Sequence, residues 1–148
     1  MAARRVGYGR GRLLICLIVV IMAGLGSRML HSGLPLVDKY AGDALYAVMI
    51  YVIFSLFRKT SSPLSKAMAV MVFMTLLEVF QLSSIPLELT RSENVMAKFA
   101  GRLLGTTFSW LDLAAYFVGI AAVLFAELRC KHLTQIKQFR AKLAKNAK

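Results

Sequence analysis

Isolated ionisable residues within otherwise apolar stretches are the chain's first candidates for chemistry. They are Arg28, Asp43, Glu78 and Asp112. A charge at the middle of a bilayer costs about 2.5–3.5 kcal/mol on insertion scales, so such residues pair with one another or face a polar cavity. Glu78 is the most informative, because the uncharged run 67–77 precedes it and apolar residues follow it. We expect its carboxyl group to face protein or water.

Helical spacing adds polar neighbours to these charges. Glu78 and Gln81 are three residues apart, and Asp112 and Tyr116 are four apart. Each pair therefore projects from one face of a helix. Together with the single charges and with Arg91 in the loop after Gln81, these pairs predict a binding cluster. Its members are Arg28, Asp43, Glu78, Gln81, Arg91, Asp112 and Tyr116. No residue is assigned a catalytic role.

A purely structural interpretation stays open for Glu78 and for three further residues of this set. Asp43 and Asp112 lie at the expected starts of helices, where a carboxylate accepts from free amide groups and favours the positive end of the helix dipole. The segment Ser109–Asp112 also fits a capping box. Arg28 lies near a helix end, from which a long basic side chain can reach the membrane interface.

The elements that must position the cluster follow from the composition. The 148 residues are 58% hydrophobic, and the mean hydropathy is +0.64. A chain of this length has too few polar residues to cover a water-soluble globule. Four apolar runs approach the ~17–25 residues that a helix needs to cross a bilayer. We therefore predict an all-α, multi-pass transmembrane bundle with spans at about 13–30, 42–57, 67–85 and 110–128.

The segment between the third and fourth spans is mixed in character. Pro86 is expected to break any helix there, and charged residues keep the first part polar. The pattern of 95–108 predicts a short interfacial or re-entrant helix on the outer side. Gly101 and Gly105 have the G-x-x-x-G spacing that permits close contact between helices.

The basic residues predict the orientation. The chain has 19 Lys and Arg against seven Asp and Glu. Most of the bases precede the first span, separate the second from the third, or follow the fourth. The positive-inside rule then predicts that both termini lie in the cytoplasm. Residues 1–128 form the membrane domain, and 129–148 form a basic amphipathic tail on the anionic inner leaflet. Nucleic-acid binding by this tail is disfavoured, because it lacks a recognition motif.

Two further interpretations concern the chain's processing and its cysteines. The first apolar run also resembles a cleavable signal peptide, which would leave three spans. Cys16 and Cys130 are far apart in sequence, as are His31 and His132. We therefore expect neither a disulfide framework nor a metal centre, and no cofactor is indicated.

The order of several segments resembles a family of small bacterial membrane proteins, the domain-of-unknown-function family 2809, which is related to the VanZ-like proteins. The resemblance covers roughly residues 12–125. It rests on GSR at 26–28, KYAGDAL at 39–45, EVFQL at 78–82, Arg91, and LG with FSWLDL within 104–113, followed by Tyr116 and Gly119. It implies a VanZ-like helical fold in a bacterial inner membrane, with Glu-x-x-Gln and a downstream arginine as the shared signature. VanZ is associated with teicoplanin resistance, so the resemblance also implies cell-envelope or lipid-headgroup biology.

Three functions remain open. The first is a non-enzymatic protein whose outer cluster binds a lipid headgroup, an envelope precursor or a protein partner, with oligomerisation possible. The second is an enzyme acting on a lipid-linked substrate, with Glu78 and Asp112 as acid and base. The third is a proton-coupled transporter that uses its intramembrane carboxylates as a relay.

Overall fold

The computed structural model describes residues 9–29, 35–58, 61–105 and 107–146, except for the side chains of 28, 29, 35–39 and 145. This part of the chain is helical and contains no strand. Its helices are α1 (Arg10–Met29), α2 (Pro35–Phe57), α3 (Pro63–Phe80), α4 (Ile85–Arg91), α5 (Val95–Leu104) and α6 (Trp110–Asn146).

Four of these helices, α1, α2, α3 and α6, are long and apolar enough to cross a membrane. Many of their large apolar side chains remain exposed, among them Ile15, Met68 and Phe117. Outward apolar side chains fit a surface that faces lipid, because lipid tails are as apolar as the side chains themselves. The predicted all-helical class with four candidate membrane spans is confirmed.

Two helices begin before the predicted starts of their spans. The second span was expected from residue 42, but α2 begins at Pro35, since proline is well tolerated in the first turn of a helix. Asp43 therefore lies in the third turn of α2, and its interpretation as a helix cap is wrong. Helix α3 begins at Pro63 rather than at residue 67, because the Ser62 hydroxyl accepts the Ser65 N–H at 3.1 Å and caps the helix.

The expectation that Pro86 breaks any helix is also wrong. Pro86 lies in the first turn of α4, where its missing N–H costs no hydrogen bond. Helix α4 packs against α5 at Gly101, where a Cβ atom would lie 2.9 Å from the Pro86 carbonyl oxygen. Helix α5 ends at Leu104, earlier than the predicted residue 108, because Gly105 turns the chain with φ 79°.

Helix α6 continues without a break from the fourth span through the basic tail. The segment expected to form a separate amphipathic helix is therefore the extension of α6 as far as Asn146. The apolar side chains of Leu133, Phe139 and Leu143 in this extension are exposed.

Helix α2 is central to the bundle, because it packs against α1, α3 and α6. Helix α6 also packs against α3. The buried core between α2, α3 and α6 consists of Ala47, Tyr51, Ala67, Val70, Met74, Tyr116 and Ile120.

The closest approach of α2 and α6 depends on Gly119. A Cβ atom at this position would collide with the Ala44 carbonyl oxygen and lie 3.0 Å from the Ala44 carbonyl carbon. The obstacle is backbone, so the two helices must separate to accept any side chain here. Since Ala44 neighbours Asp43, this crossing sets the distance between the polar groups of α2 and α6.

We expect Gly119→Ala to destabilise the protein by about 1–3 kcal/mol, the range for overpacking a well-packed core. The measurement is the free energy of unfolding in detergent micelles. Gly24→Ala is the matched control: an added Cβ at Gly24 meets no described atom within 4 Å, and alanine is the better helix former. Equal stability of the Gly119→Ala variant and the unaltered protein would show that the helices do not approach this closely.

Candidate functional site

Glu78 is fully buried near the end of α3, with 0% of its surface exposed. Its Oε1 accepts the backbone N–H of Ser109 at 2.8 Å. Its Oε2 accepts from the Gln81 side-chain amide at 3.1 Å and from the Tyr116 hydroxyl at 3.3 Å. A buried carboxylate is tolerated when it is hydrogen-bonded in this way. Glu78 therefore joins α3 to the residue before α6 and to α6 itself.

Gln81 extends this connection to α5. It lies directly after α3, and its amide nitrogen donates to the Leu104 carbonyl oxygen at 2.8 Å as well as to Glu78. The carbonyl belongs to the last residue of α5, which is one of the orphan acceptors at a helix end. Gly105 makes room for the amide, since a Cβ atom there would lie 2.9 Å from the Gln81 nitrogen. We call Glu78, Gln81, Ser109 and Tyr116 the Glu78 cluster.

Two more carboxylates lie near this cluster. The Tyr116 hydroxyl is within electrostatic reach of Asp43 on α2, Glu78 on α3 and Asp112 on α6. Asp112 is buried with 8% exposure and lies in the first turn of α6. Its interpretation as a helix-dipole partner therefore stays open. Three helices thus contribute one carboxylate each to the surroundings of a single tyrosine.

The structure describes neither of the two predicted arginines as part of the Glu78 cluster. Arg91 is exposed at the last residue of α4 and forms no ion pair with a described residue. Arg28 belongs to α1, but its side chain lies outside the described residues. Of the seven predicted site residues, the structure therefore brings together Asp43, Glu78, Gln81, Asp112 and Tyr116.

A second buried polar group, absent from the sequence analysis, lies toward the other end of the bundle. The Lys66 ammonium contacts both oxygens of Glu127, at 2.9 and 2.7 Å. Glu127 also accepts from the Tyr51 hydroxyl at 2.7 Å and pairs with Lys131 at 2.8 Å. Lys66 donates in addition to the Ser55 hydroxyl at 3.1 Å. We call these five residues the Glu127 cluster.

The signal for the Glu127 cluster was present in the sequence. Glu127 lies inside the predicted fourth span, as Glu78 lies inside the third, and the same argument applies to both. Lys66 was used only to orient the chain. Its partner is 61 residues away, so nothing local in the sequence joins the two.

The contact that Ser109 makes differs from the predicted one. The predicted role of Ser109 was to cap α6 through its side chain, whereas its contact with Glu78 uses the backbone N–H. A backbone donor carries no signature in residue type. Among the described residues, no three His, Cys, Asp or Glu side chains group together to hold a metal ion.

These features define an all-helical protein with four potential membrane spans and two buried polar clusters. Residues 34–120 match the family described as "Protein of unknown function (DUF2809)". The match covers more than half of the chain, and the chain belongs to this family, as the sequence analysis predicted. The matched region contains the whole Glu78 cluster but ends before Glu127. No solved structure matches the chain.

We expect Glu78→Gln to destabilise the protein by about 1–3 kcal/mol, because the new amide group presents a donor where the site already holds three. Unfolding in micelles measures the change. Glu88→Gln is the matched control, since Glu88 is exposed on α4 and such changes stay within about 0.5 kcal/mol. The assignment fails if the two variants are equally stable.

We expect Lys66→Met to cost about 3–5 kcal/mol, toward the lower end because Lys131 still pairs with the buried Glu127. Adding Glu127→Leu should recover much of the loss, since a buried pair is often replaceable by apolar residues. The measurement compares the unfolding free energies of the single and double variants, with the exposed Lys98→Met as control. A double variant less stable than Lys66→Met alone contradicts the pairing.

Proposed function

We propose that the protein is a non-enzymatic integral membrane protein of the bacterial cell envelope. In this proposal it binds an anionic headgroup, of an envelope lipid or lipid-linked precursor, at its outer side. Arg28 and Arg91 supply the positive charge, and the buried carboxylates hold the helices that carry the site. The observation behind the proposal is the set of contacts made by Glu78, whose two oxygens accept hydrogen bonds from Gln81, Ser109 and Tyr116.

These contacts favour a positioning role for Glu78 over acid–base catalysis. A general acid or base must come within hydrogen-bond reach of the proton that it transfers. Glu78 has no exposed surface, and its donors are groups that join α3 to α6. The alternative of an enzyme with Glu78 and Asp112 as acid and base therefore receives less support.

The helices α4 and α5 form the surface at which we place the ligand. Helix α5 exposes the apolar side chains of Val95, Met96 and Phe99 beside the exposed bases Lys98 and Arg102. Apolar residues on one face with bases beside them are typical of helices that lie in a membrane interface.

Arg91 ends α4, which packs against α5. The Gln81 bond to Leu104 holds the end of α5 beside α3. In this proposal the exposed bases of both helices contribute to one surface. An arginine guanidinium is suited to phosphate groups, because it donates two parallel hydrogen bonds.

Orientation and family relation belong to the same proposal. The positive-inside rule puts both termini in the cytoplasm and α4 and α5 outside. The Glu-x-x-Gln element at Glu78 and Gln81 supports a relation to VanZ-like proteins, and through it an envelope role.

Proton-coupled transport is the second candidate, because three carboxylates lie within electrostatic reach of the Tyr116 hydroxyl. Intramembrane carboxylates of this kind form proton relays in pumps and transporters. Proton flux into vesicles that contain the purified protein, lost in Tyr116→Phe, would favour this candidate over headgroup binding.

The proposal is tested by complementation in a bacterial strain that lacks the protein. We expect Arg28→Ala and Arg91→Ala each to lose protection against envelope-active antibiotics and detergents, because the anionic ligand loses a counter-charge. Membrane abundance and thermal unfolding should stay unchanged. Arg58→Ala is the control, since Arg58 is exposed after α2 on the opposite side in the proposed topology.

Full protection by both arginine variants at normal abundance would overturn the headgroup site. Equal loss in Arg58→Ala would also overturn it, because the effect would then follow total charge rather than the outer surface.

A further inference from the structure

A crevice opens between α1 and α6 at the end of the bundle that holds the Glu127 cluster. Both helices pack against α2 but hardly against one another, so α2 forms the floor. The cavity has a volume of about 270 Å³. Its walls are mainly apolar and include Leu13, Val52, Val123 and Ala126.

The crevice also brings together groups that are distant in sequence. Cys16 of α1 and Cys130 of α6, the chain's two cysteines, both line it and are both exposed. The crevice is therefore open at the surface of the protein and accessible to reagents.

The charged groups in and beside the crevice carry a net positive charge. Arg12 lines the cavity from α1. Glu127 lines it from α6, but its carboxylate is paired with both Lys66 and Lys131. Two ammonium groups against one carboxylate leave an excess positive charge, and Arg12 adds another. An anion is therefore favoured beside an otherwise apolar groove.

The size of the crevice further restricts the kind of ligand that it can bind. A helix with its side chains is about 10–12 Å wide, which exceeds what this narrow space holds. Ligand pockets for drug-sized molecules begin near about 300 Å³, so 270 Å³ suits a single flexible chain. Apolar walls that open toward the membrane favour an acyl chain over a water-soluble molecule.

We propose that the crevice binds one acyl chain of an anionic phospholipid, with the lipid phosphate at Arg12. The apolar walls hold the chain, and the excess charge of Lys66 and Lys131 over Glu127 adds attraction for the headgroup. This site is separate from the proposed outer site, since its lining includes no residue of α4, α5 or the Glu78 cluster. Either proposal can fail without the other.

Photo-crosslinking tests the site in the full chain. The protein is reconstituted into vesicles of phosphatidylcholine that contain traces of phosphatidylglycerol with a diazirine in the acyl chain, and labelled peptides are identified by mass spectrometry. We expect labels on the peptides that contain Val52, Val123 and Ala126. The same diazirine on phosphatidylcholine should label these peptides about fivefold less, since its choline ammonium cancels the negative charge that the basic residues attract.

Two matched pairs of variants separate the crevice from general attraction. Arg12→Ala should lower crevice labelling about fivefold, whereas Arg10→Ala, on the same helix and outside the crevice, should not. Ala126→Trp fills the crevice and should abolish labelling, whereas Ala122→Trp, exposed on the same helix, should leave it unchanged.

The unaltered chain provides a second readout that needs no variant. Anionic lipid should slow the reaction of Cys16 and Cys130 with a bulky maleimide relative to phosphatidylcholine alone, and inorganic phosphate should not. Equal labelling by the two lipid probes, or equal effects of Arg10→Ala and Arg12→Ala, would overturn the proposal. Protection by inorganic phosphate would likewise overturn it, because the site would then recognise a free anion rather than a lipid.

Discussion

A carboxylate that is withdrawn from solvent must find hydrogen-bond donors within the protein, and Glu78 finds three of them. The Ser109 amide, the Gln81 side chain and the Tyr116 hydroxyl surround it. Removing one donor would leave a buried charge only partly compensated, which costs far more than an ordinary hydrogen bond gains. The requirements of this one group therefore determine how α3 meets the start of α6. Through Gln81 they also determine where α5 ends.

The bundle has a similar constraint at its other end. Glu127 is surrounded by Lys66, Lys131 and Tyr51, so polar contacts join α3 to α6 near both ends, and they join α2 to this pair at the Glu127 end. Between these clusters the helices are held by apolar packing and by the close approach at Gly119. Helix α1 takes part in neither set of described contacts and packs mainly against α2. This arrangement leaves the space beside α1 in which the crevice lies.

The features that followed from the sequence are local ones. Apolar runs of sufficient length predicted four spans, and the isolation of Glu78 in such a run predicted its burial, because both depend only on neighbouring residues. The predicted roles of Asp43 as a helix cap and of Pro86 as a helix breaker were wrong. A proline in the first turn starts a helix as readily as an internal proline breaks one. The Ser109 contact uses a backbone amide, and the Lys66–Glu127 pair spans 61 residues. Such contacts depend on how the helices pack, which no local pattern encodes.

The central claim is that the Glu78 carboxylate joins α3 to α6 through direct hydrogen bonds. A double-mutant cycle between Glu78→Gln and Tyr116→Phe, measured as unfolding free energies in micelles, tests it most directly. Tyr116→Phe removes only the hydroxyl that donates to Glu78. We expect a coupling energy of about 0.5 kcal/mol or more, as for residues in contact. Effects that add to within about 0.3 kcal/mol, as for independent sites, would contradict the claim.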